Sequence, residues 1–251
     1  MVSEAKTLPN IDGEVINDEA WEGISAIKTF TQKSPDEGTP STEQTIVKIM
    51  YSEETFYVSV VCYDSEPNKI VITDTRRDAP LNNTDSFMFV LDTYQDQQNG
   101  FVFGTNAGGI EYDAQVSGGG EGMSISSTRQ SVGIGANFNI NWDAAWEVKT
   151  KIGDFGWSAE FAIPFKTLRF SSKKNQTWGA NFQRTIARRS EHVFWSPIPR
   201  QFSLNRLALA GIIKGINVPS SRNLKVMPYI LGNNNDVKGE DSFSSSNNDF
   251  G

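Results

Sequence analysis

Carboxylates are the first residues whose types and spacing suggest chemistry. Asp143 and Glu147 bracket the run WDAAWE, and Glu160 follows in the next apolar stretch. Two carboxyl groups across a cleft, one of them a raised-pKa acid, hydrolyse glycosidic bonds. Nothing in this spacing fixes such a cleft, and Glu160 alternates with apolar residues along a strand, so catalysis is not expected. Asp92, Asp96 and Asn99, with Asp113 further on, offer oxygen ligands of the kind calcium takes, though not in an EF-hand pattern. Carboxylates at turns also cap backbone N–H groups. His192 is the sole histidine and Cys62 the sole cysteine, too few to build a zinc site. Neither haem nor a nucleotide cofactor is expected, and no G-x-S-x-G elbow occurs. Arg76-Arg77-Asp78 can grip a carboxylate or sulfate, or close on itself as a surface arginine–aspartate pair. Of Trp142 and Trp146, the second opens a strand and is expected in the core. The first, beside Asn139 and Asn141, is expected at the surface.

The elements that must position these groups are strands. TIVKIMY (Thr45 to Tyr51) and TFYVSVVCYD (Thr55 to Asp64) flank a short connection and read as a hairpin. In the second run Phe56, Val58, Val60 and Cys62 share one face, and Tyr57, Ser59, Val61 and Tyr63 the other. SFMFVLDTY, GFVFGTN and IEYDAQV follow. AWEVKTKIGDFGWSAEFAIPF is a second hairpin, with Trp146, Val148, Ile152, Trp157, Ala159, Phe161 and Ile163 expected inside. TWGANFQRTIAR and LALAGIIKGI are two more strands. The Gly/Ser-rich stretch Ser117 to Ser127 reads as a loop, with a weak strand after it in SVGIGANFNIN. Many short strands, tight turns and no amphipathic helix predict an all-β, antiparallel β-sandwich of immunoglobulin or jelly-roll type, with short helical turns. In the opening run IDGEVINDEAW, Asp12-Gly13 is a turn and Asn17-Asp18-Glu19 caps a helical turn. Trp21 then anchors the N-terminal arm to a core.

Composition excludes several classes. The 251 residues carry a net charge of -7, a poor match to nucleic acid. No apolar run is long enough to span a membrane as a helix. Cys62, inside an apolar strand, reads as a small buried hydrophobe. MVSEAKTLPN has no signal-peptide pattern. After residue 218 the composition shifts to a linker, the strand-like run LKVMPYILG and a polar Ser/Asn-rich tail. Two segments are therefore expected, 1–218 and 219–251, the second opening a further β-rich region.

Together these segments resemble family 9 carbohydrate-binding modules. The pattern is carried by IDGEVINDEAW, by the hairpin VKIMYSEETFYVSVVCYD and by TDSFMFVLDTYQDQQNGFVFGTNAGG. It continues in WDAAWEVKTKIGDFGWSAEFAIPFKTLRF and WGANFQRTIARRSEHVFW. The likeness is to the variant at the front of large bacterial outer-surface proteins, where a barrel-like region follows. It implies non-catalytic binding of a poly- or oligosaccharide by an exported protein, at the cell surface, outer membrane or periplasm, within a polysaccharide-utilisation system. Structural calcium is implied, and so is a C-terminal barrel-like partner region. In the family a sugar lies between two tryptophan faces. At the first of those positions this chain has Leu81-Asn82-Asn83-Thr84, and at the second Gln201-Phe202-Ser203-Leu204. By loop position the resemblance assigns sugar contacts to Trp195, Arg200, Phe202, Arg77 and Asp85, with Trp142 added as an exposed aromatic. The other expectation the residues allow is a structural module, its sugar site lost, capping the region that follows.

Overall fold

Alternation of β-branched and aromatic residues becomes two packed sheets. The computed structural model describes residues 1–120 and 137–218. Its first strands are β1 (Ser3–Glu4), β2 (Ala26–Ile27), β3 (Thr31–Ser34), β4 (Thr45–Tyr51) and β5 (Thr55–Tyr63). Then come β6 (Ser86–Asp92), β7 (Gly100–Asn106), β8 (Tyr112–Val116), β9 (Phe138–Asn139), β10 (Glu147–Gly153) and β11 (Gly156–Pro164). The last are β12 (Asn175–Ile186), β13 (Glu191–Phe194) and β14 (Gly211–Asn217), with 3-10 turns between strands. A six-stranded sheet runs β1-β4-β5-β11-β10, with β2 on β4. An eight-stranded sheet runs β3-β13-β12-β6-β7-β8-β9, with β14 on β12. All pairings are antiparallel except β1 with β4. The expected antiparallel sandwich is the fold observed.

Period-two patterning sets the faces. Phe56, Val58, Val60 and Cys62 of β5 face Phe87, Phe89 and Leu91 of β6 in one core. Trp146, Val148, Trp157, Ala159, Phe161 and Ile163 join them as expected. Ile152 does not. It is 47% exposed, since it lies beside the hairpin turn on an edge strand covered only by β11. Burial pushes the Cys62 thiol up to about 12, which makes it an inert apolar group.

Other boundaries shift for local reasons. Leu207–Leu209 is a 3-10 turn, and β14 begins only at Gly211. Leu207 is turned onto the outer face of the larger sheet and cannot extend the strand. Of SVGIGANFNIN, Phe138–Asn139 pairs as a strand, while residues 131–136 lie outside the described residues. Gly118, Gly119 and Gly120 make a tight left-handed turn, and residues 121–127 of that Gly/Ser stretch also lie outside them. So does everything after 218, including the expected boundary and the LKVMPYILG run.

Polar side chains close the sandwich at its margins. Arg184 of β12 is fully buried and donates to the carbonyl oxygens of Gln44 (3.0 Å) and Tyr63 (2.7 Å), tying the larger sheet to the smaller. Arg188 continues the tie with Glu43 (2.6 Å) and Asp64 (2.6 Å). At another margin β1 pairs with β4, while the Val2 N–H donates to Lys214 O of β14 at 2.8 Å.

The arm of residues 10–22 crosses the outer face of the smaller sheet. Gly13 sits at φ +87, where a Cβ would collide with the Thr150 and Lys151 backbone at 2.5–2.8 Å. Asp18 caps the Glu19–Trp21 turn by accepting the Ala20 N–H. Glu160, at the centre of β11, accepts N–H groups from Asp12 (3.1 Å), Gly13 (2.9 Å) and the Trp21 indole (2.7 Å). Trp21 is fully buried, as expected, though in a satellite cluster outside the main core. The Glu160→Gln variant, which replaces one acceptor oxygen with a donor, is expected to lose about 1–3 kcal/mol in urea unfolding. Burial holds this carboxyl above its ordinary value. Its own contribution is therefore fully present below the unfolded-state value and is lost as pH rises through the folded one. The stability gap between wild type and Glu160→Gln should be wider at pH 4 than at pH 7.

Candidate functional site

The outer face of the eight-stranded sheet is walled by the β5–β6 loop and the β13–β14 loop. Inward orientation of Phe87, Phe89 and Leu91 turns Met88 and Val90 outward, beside Val102 of β7 and Ala114 of β8. Leu81 from the first loop and Ile198, Leu204 and Leu207 from the second pack onto this surface in one buried cluster. Two glycines of β7 make room for them. A Cβ at Gly104 would come within 2.9 Å of Leu81, and one at Gly100 within 3.0 Å of Leu207. The positions flanking the resemblance's two tryptophans thus carry leucines that seal the face. The signal was present in GFVFG, because a glycine inside a strand marks a close approach.

Each loop has its own anchor. Asp85 is fully buried; its carboxylate accepts the Val71 N–H at 2.8 Å and its N–H donates to Val71 O at 2.8 Å. Desolvation raises this carboxyl. Asp85 pins the base of the β5–β6 loop and is withdrawn from any ligand, which corrects its assignment as a sugar contact. The second loop is braced by Asn181, which accepts the Ser196 N–H and donates to Ser196 O, both at 2.9 Å.

The other candidates fall in three places. Arg77 is enclosed by carboxylates: Glu111 (2.5 Å), Asp113 (2.7 Å), Asp143 (2.6 Å) and, more distantly, Asp78 (3.7 Å). Its donors are engaged there, and Arg76 pairs instead with Asp74. The motif does not close on itself: the short contacts of Arg77 are to carboxylates outside it, and its guanidinium stays partly exposed. Trp142, expected exposed, is half-buried against Phe101 (5.0 Å) and Phe103 (6.0 Å), because β7 offers aromatic faces to the chain entering β10. Trp195 is half-buried too. Its ring leans on Phe182 at 5.6 Å and covers Gly211, toward the inter-sheet core.

Phe202 and Arg200 remain at the surface of the second loop. Phe202 is half-buried, like Trp142 and Trp195, with the Arg206 guanidinium 5.6 Å from the centre of its ring. Lys33 of β3 donates to the Phe202 carbonyl at 2.5 Å. Arg200 donates to Pro35 O and lies 3.4 Å from Glu37. Burial lowers the Lys33 ammonium, and burial together with Lys33 lowers His192, which sits in β13 against Thr185. Lys33 and Arg206 went unnoticed in the sequence, where nothing marks them as neighbours of Phe202. An aromatic ring bordered by cations can stack on the apolar face of a pyranose while guanidinium groups bind its hydroxyls.

The expected calcium ligands do not form one set. Asp92 accepts the N–H groups of Asp96 (3.1 Å) and Gln97 (2.8 Å). Asp96 accepts those of Gln98 (2.7 Å) and Asn99 (2.8 Å), and Asn99 donates its side-chain amide to Asp96. Asp113 belongs elsewhere, held by Arg77 and the Ala144 N–H. These oxygens cap a turn and serve a salt bridge. Among the described residues no cluster of three His, Cys, Asp or Glu is arranged to hold a metal. The carboxylates considered for hydrolysis are also scattered: Asp143 on Arg77, Glu147 exposed at an edge, Glu160 under the arm.

A family model described as "Carbohydrate family 9 binding domain-like" matches residues 11–191. A carbohydrate binding module family 9 from Caldicellulosiruptor kristjanssonii, solved with cellotriose, superposes with a TM-score of 0.54 at 18% identity. That match covers 91% of this chain and 98% of the module. A family 9 module of the same organism, solved with glucose, gives 0.50 at 18% identity, covering 90% and 99%. A candidate carbohydrate-binding protein from Bacteroides uniformis ATCC 8492 gives 0.61 at 13% identity, covering 85% and 96%. No curated protein matches the chain by sequence. At these identities the likeness is one of fold.

Replacing Arg77 by Gln leaves the buried Asp113 carboxylate beside other carboxylates without its cation. The expected loss at pH 7 is about 1–2 kcal/mol, held low because Arg77 is partly exposed and screened. It should shrink at lower pH, where Asp113, whose carboxyl burial raises, protonates; chemical denaturation at pH 7 and at pH 4 reads it.

Proposed function

The chain belongs to the carbohydrate family 9 binding domain-like family, and from that premise we propose that it is a non-catalytic module binding a poly- or oligosaccharide at the Phe202 rim. The observation that carries this reading is the partly buried Phe202 ring with the Arg206 guanidinium over it, on a loop braced by Lys33 and Arg200. Stacking supplies affinity without sequence-like specificity, and the guanidinium groups add directional contacts to hydroxyls or carboxylates. The carboxylate at this rim, Glu37, pairs with Arg200. The resemblance of the sequence supports placement in an exported bacterial surface protein, ahead of a β-rich region. Titration calorimetry against neutral, acidic and sulfated glycans is expected to give saturable heat with at least one. Phe202→Ala should weaken that binding about tenfold or more. Absence of heat across the panel would overturn the reading.

One feature favours a second reading, a structural module: the leucine seal over Gly100 and Gly104. Leu81→Ala and Leu207→Ala are each expected to cost about 2–5 kcal/mol, as for core leucines. Glycan binding gained in the double variant would show that the seal occupies a sugar cleft.

A further inference from the structure

The outer face of the smaller sheet holds a concavity that the glycan reading does not use. It opens between the N-terminal arm and strands β4 and β5. Strand parity puts Ile46 and Lys48 of β4 and Ser59 and Val61 of β5 on this face, and the register sets Lys48 opposite Ser59 and Ile46 opposite Val61. Val15 and Ile16 of the arm form the other wall. Ile16 is 48% exposed, an unusual position for a large aliphatic side chain next to a groove.

Two polar groups converge at one end. The Ser59 hydroxyl is buried, in a residue only 1% exposed, and has no hydrogen-bond partner among the described residues. A buried hydroxyl left unpaired is costly and calls for a partner. Lys48 donates to the Trp21 carbonyl at 2.7 Å and takes part in no ion pair among the described residues. An ammonium has three donors, so two remain. Glu160 stands opposite Ser59 on β11, but its oxygens already accept the Asp12, Gly13 and Trp21 N–H groups.

We propose that this groove is a second binding site, for a small aliphatic carboxylate. The carboxylate accepts from the Lys48 ammonium and the Ser59 hydroxyl. The alkyl chain lies along Ile46, Val61, Val15 and Ile16. Tyr63 also borders the groove, its ring edge-on to Phe155 at 6.2 Å. A sugar fits less well, since the other apolar walls are aliphatic and the few polar groups cannot satisfy the hydroxyls of a pyranose. The site is on the opposite sheet from Phe202 and stands or falls independently of glycan binding.

The test is a two-dimensional amide NMR titration of the whole chain with sodium octanoate, with 1-octanol and glucose as comparators. Saturable octanoate shifts centred on Ile16, Lys48, Ser59 and Val61 are expected. Octanol and glucose should bind at least about tenfold more weakly, since they lack the charge that a charge-assisted hydrogen bond needs. Ser59→Ala should weaken octanoate severalfold and Lys48→Met about tenfold, with Lys48→Arg restoring most of it. Ser59→Ala leaves the arm contacts intact, so its effect does not depend on Lys48 holding Trp21. Absence of saturable shifts at these residues would overturn the proposal. Octanol binding as tightly as octanoate would overturn it too, as would octanoate affinity indifferent to both Ser59→Ala and Lys48→Met.

Discussion

The aromatic contact between the two sheets constrains everything else in the molecule. Phe89 meets Phe161 edge-on at 5.1 Å, Phe87 tilts against Phe161 at 6.1 Å, and Phe56 tilts against Trp178 at 5.3 Å. These rings come from both sheets, and their size sets the separation of the layers. They also set parity. With Phe87, Phe89 and Leu91 inside, Met88, Val90 and Asp92 must point out, and a one-residue slip would invert every face. The leucine-sealed outer surface and the Asp92 turn cap both follow from that choice.

Onto this core the chain fastens its loops with buried polar groups. Glu160 gathers three N–H donors of the arm, Asp85 clasps Val71, and Arg184 reaches carbonyls on the other sheet. Such groups add less net stability than their short distances suggest, because each must be desolvated. Their consequence is registration: each has one arrangement that satisfies it. The same chemistry accounts for several conspicuous carboxylates: Asp85, Asp92 and Asp96 are spent on backbone N–H groups, and Asp113 of β8 on Arg77.

The sandwich is that of family 9 carbohydrate-binding modules, and Leu81, Leu204 and Leu207 pack together over the outer face of its larger sheet. The polar-aromatic surface that remains lies farther along the β13–β14 loop, around Phe202. Fold and function are separable here in a physical sense. The strands are held by the aromatic core, while the loops that would touch a ligand answer to local anchors and can change their side chains without disturbing it.

Residue pattern alone determined the strands and their faces. TIVKIMY and GFVFGTN are β4 and β7 at the residues expected, and the alternation in β5 and β11 assigned the core. Local turn chemistry was legible too, in Gly13 and in the Asp18 cap. What the sequence could not decide is which distant residues share a site. Asp113 is spaced to look like a fourth ligand for Asp92, Asp96 and Asn99, yet strand pairing carries it to Arg77 and Ala144. Asp85 looks like a loop carboxylate and is buried, while Lys33 and Phe202 meet although far apart in the chain. Periodicity is a property of neighbours along the chain, so sequence carries it. A binding site is a property of neighbours across strands and loops, and only the packed tertiary structure chooses those.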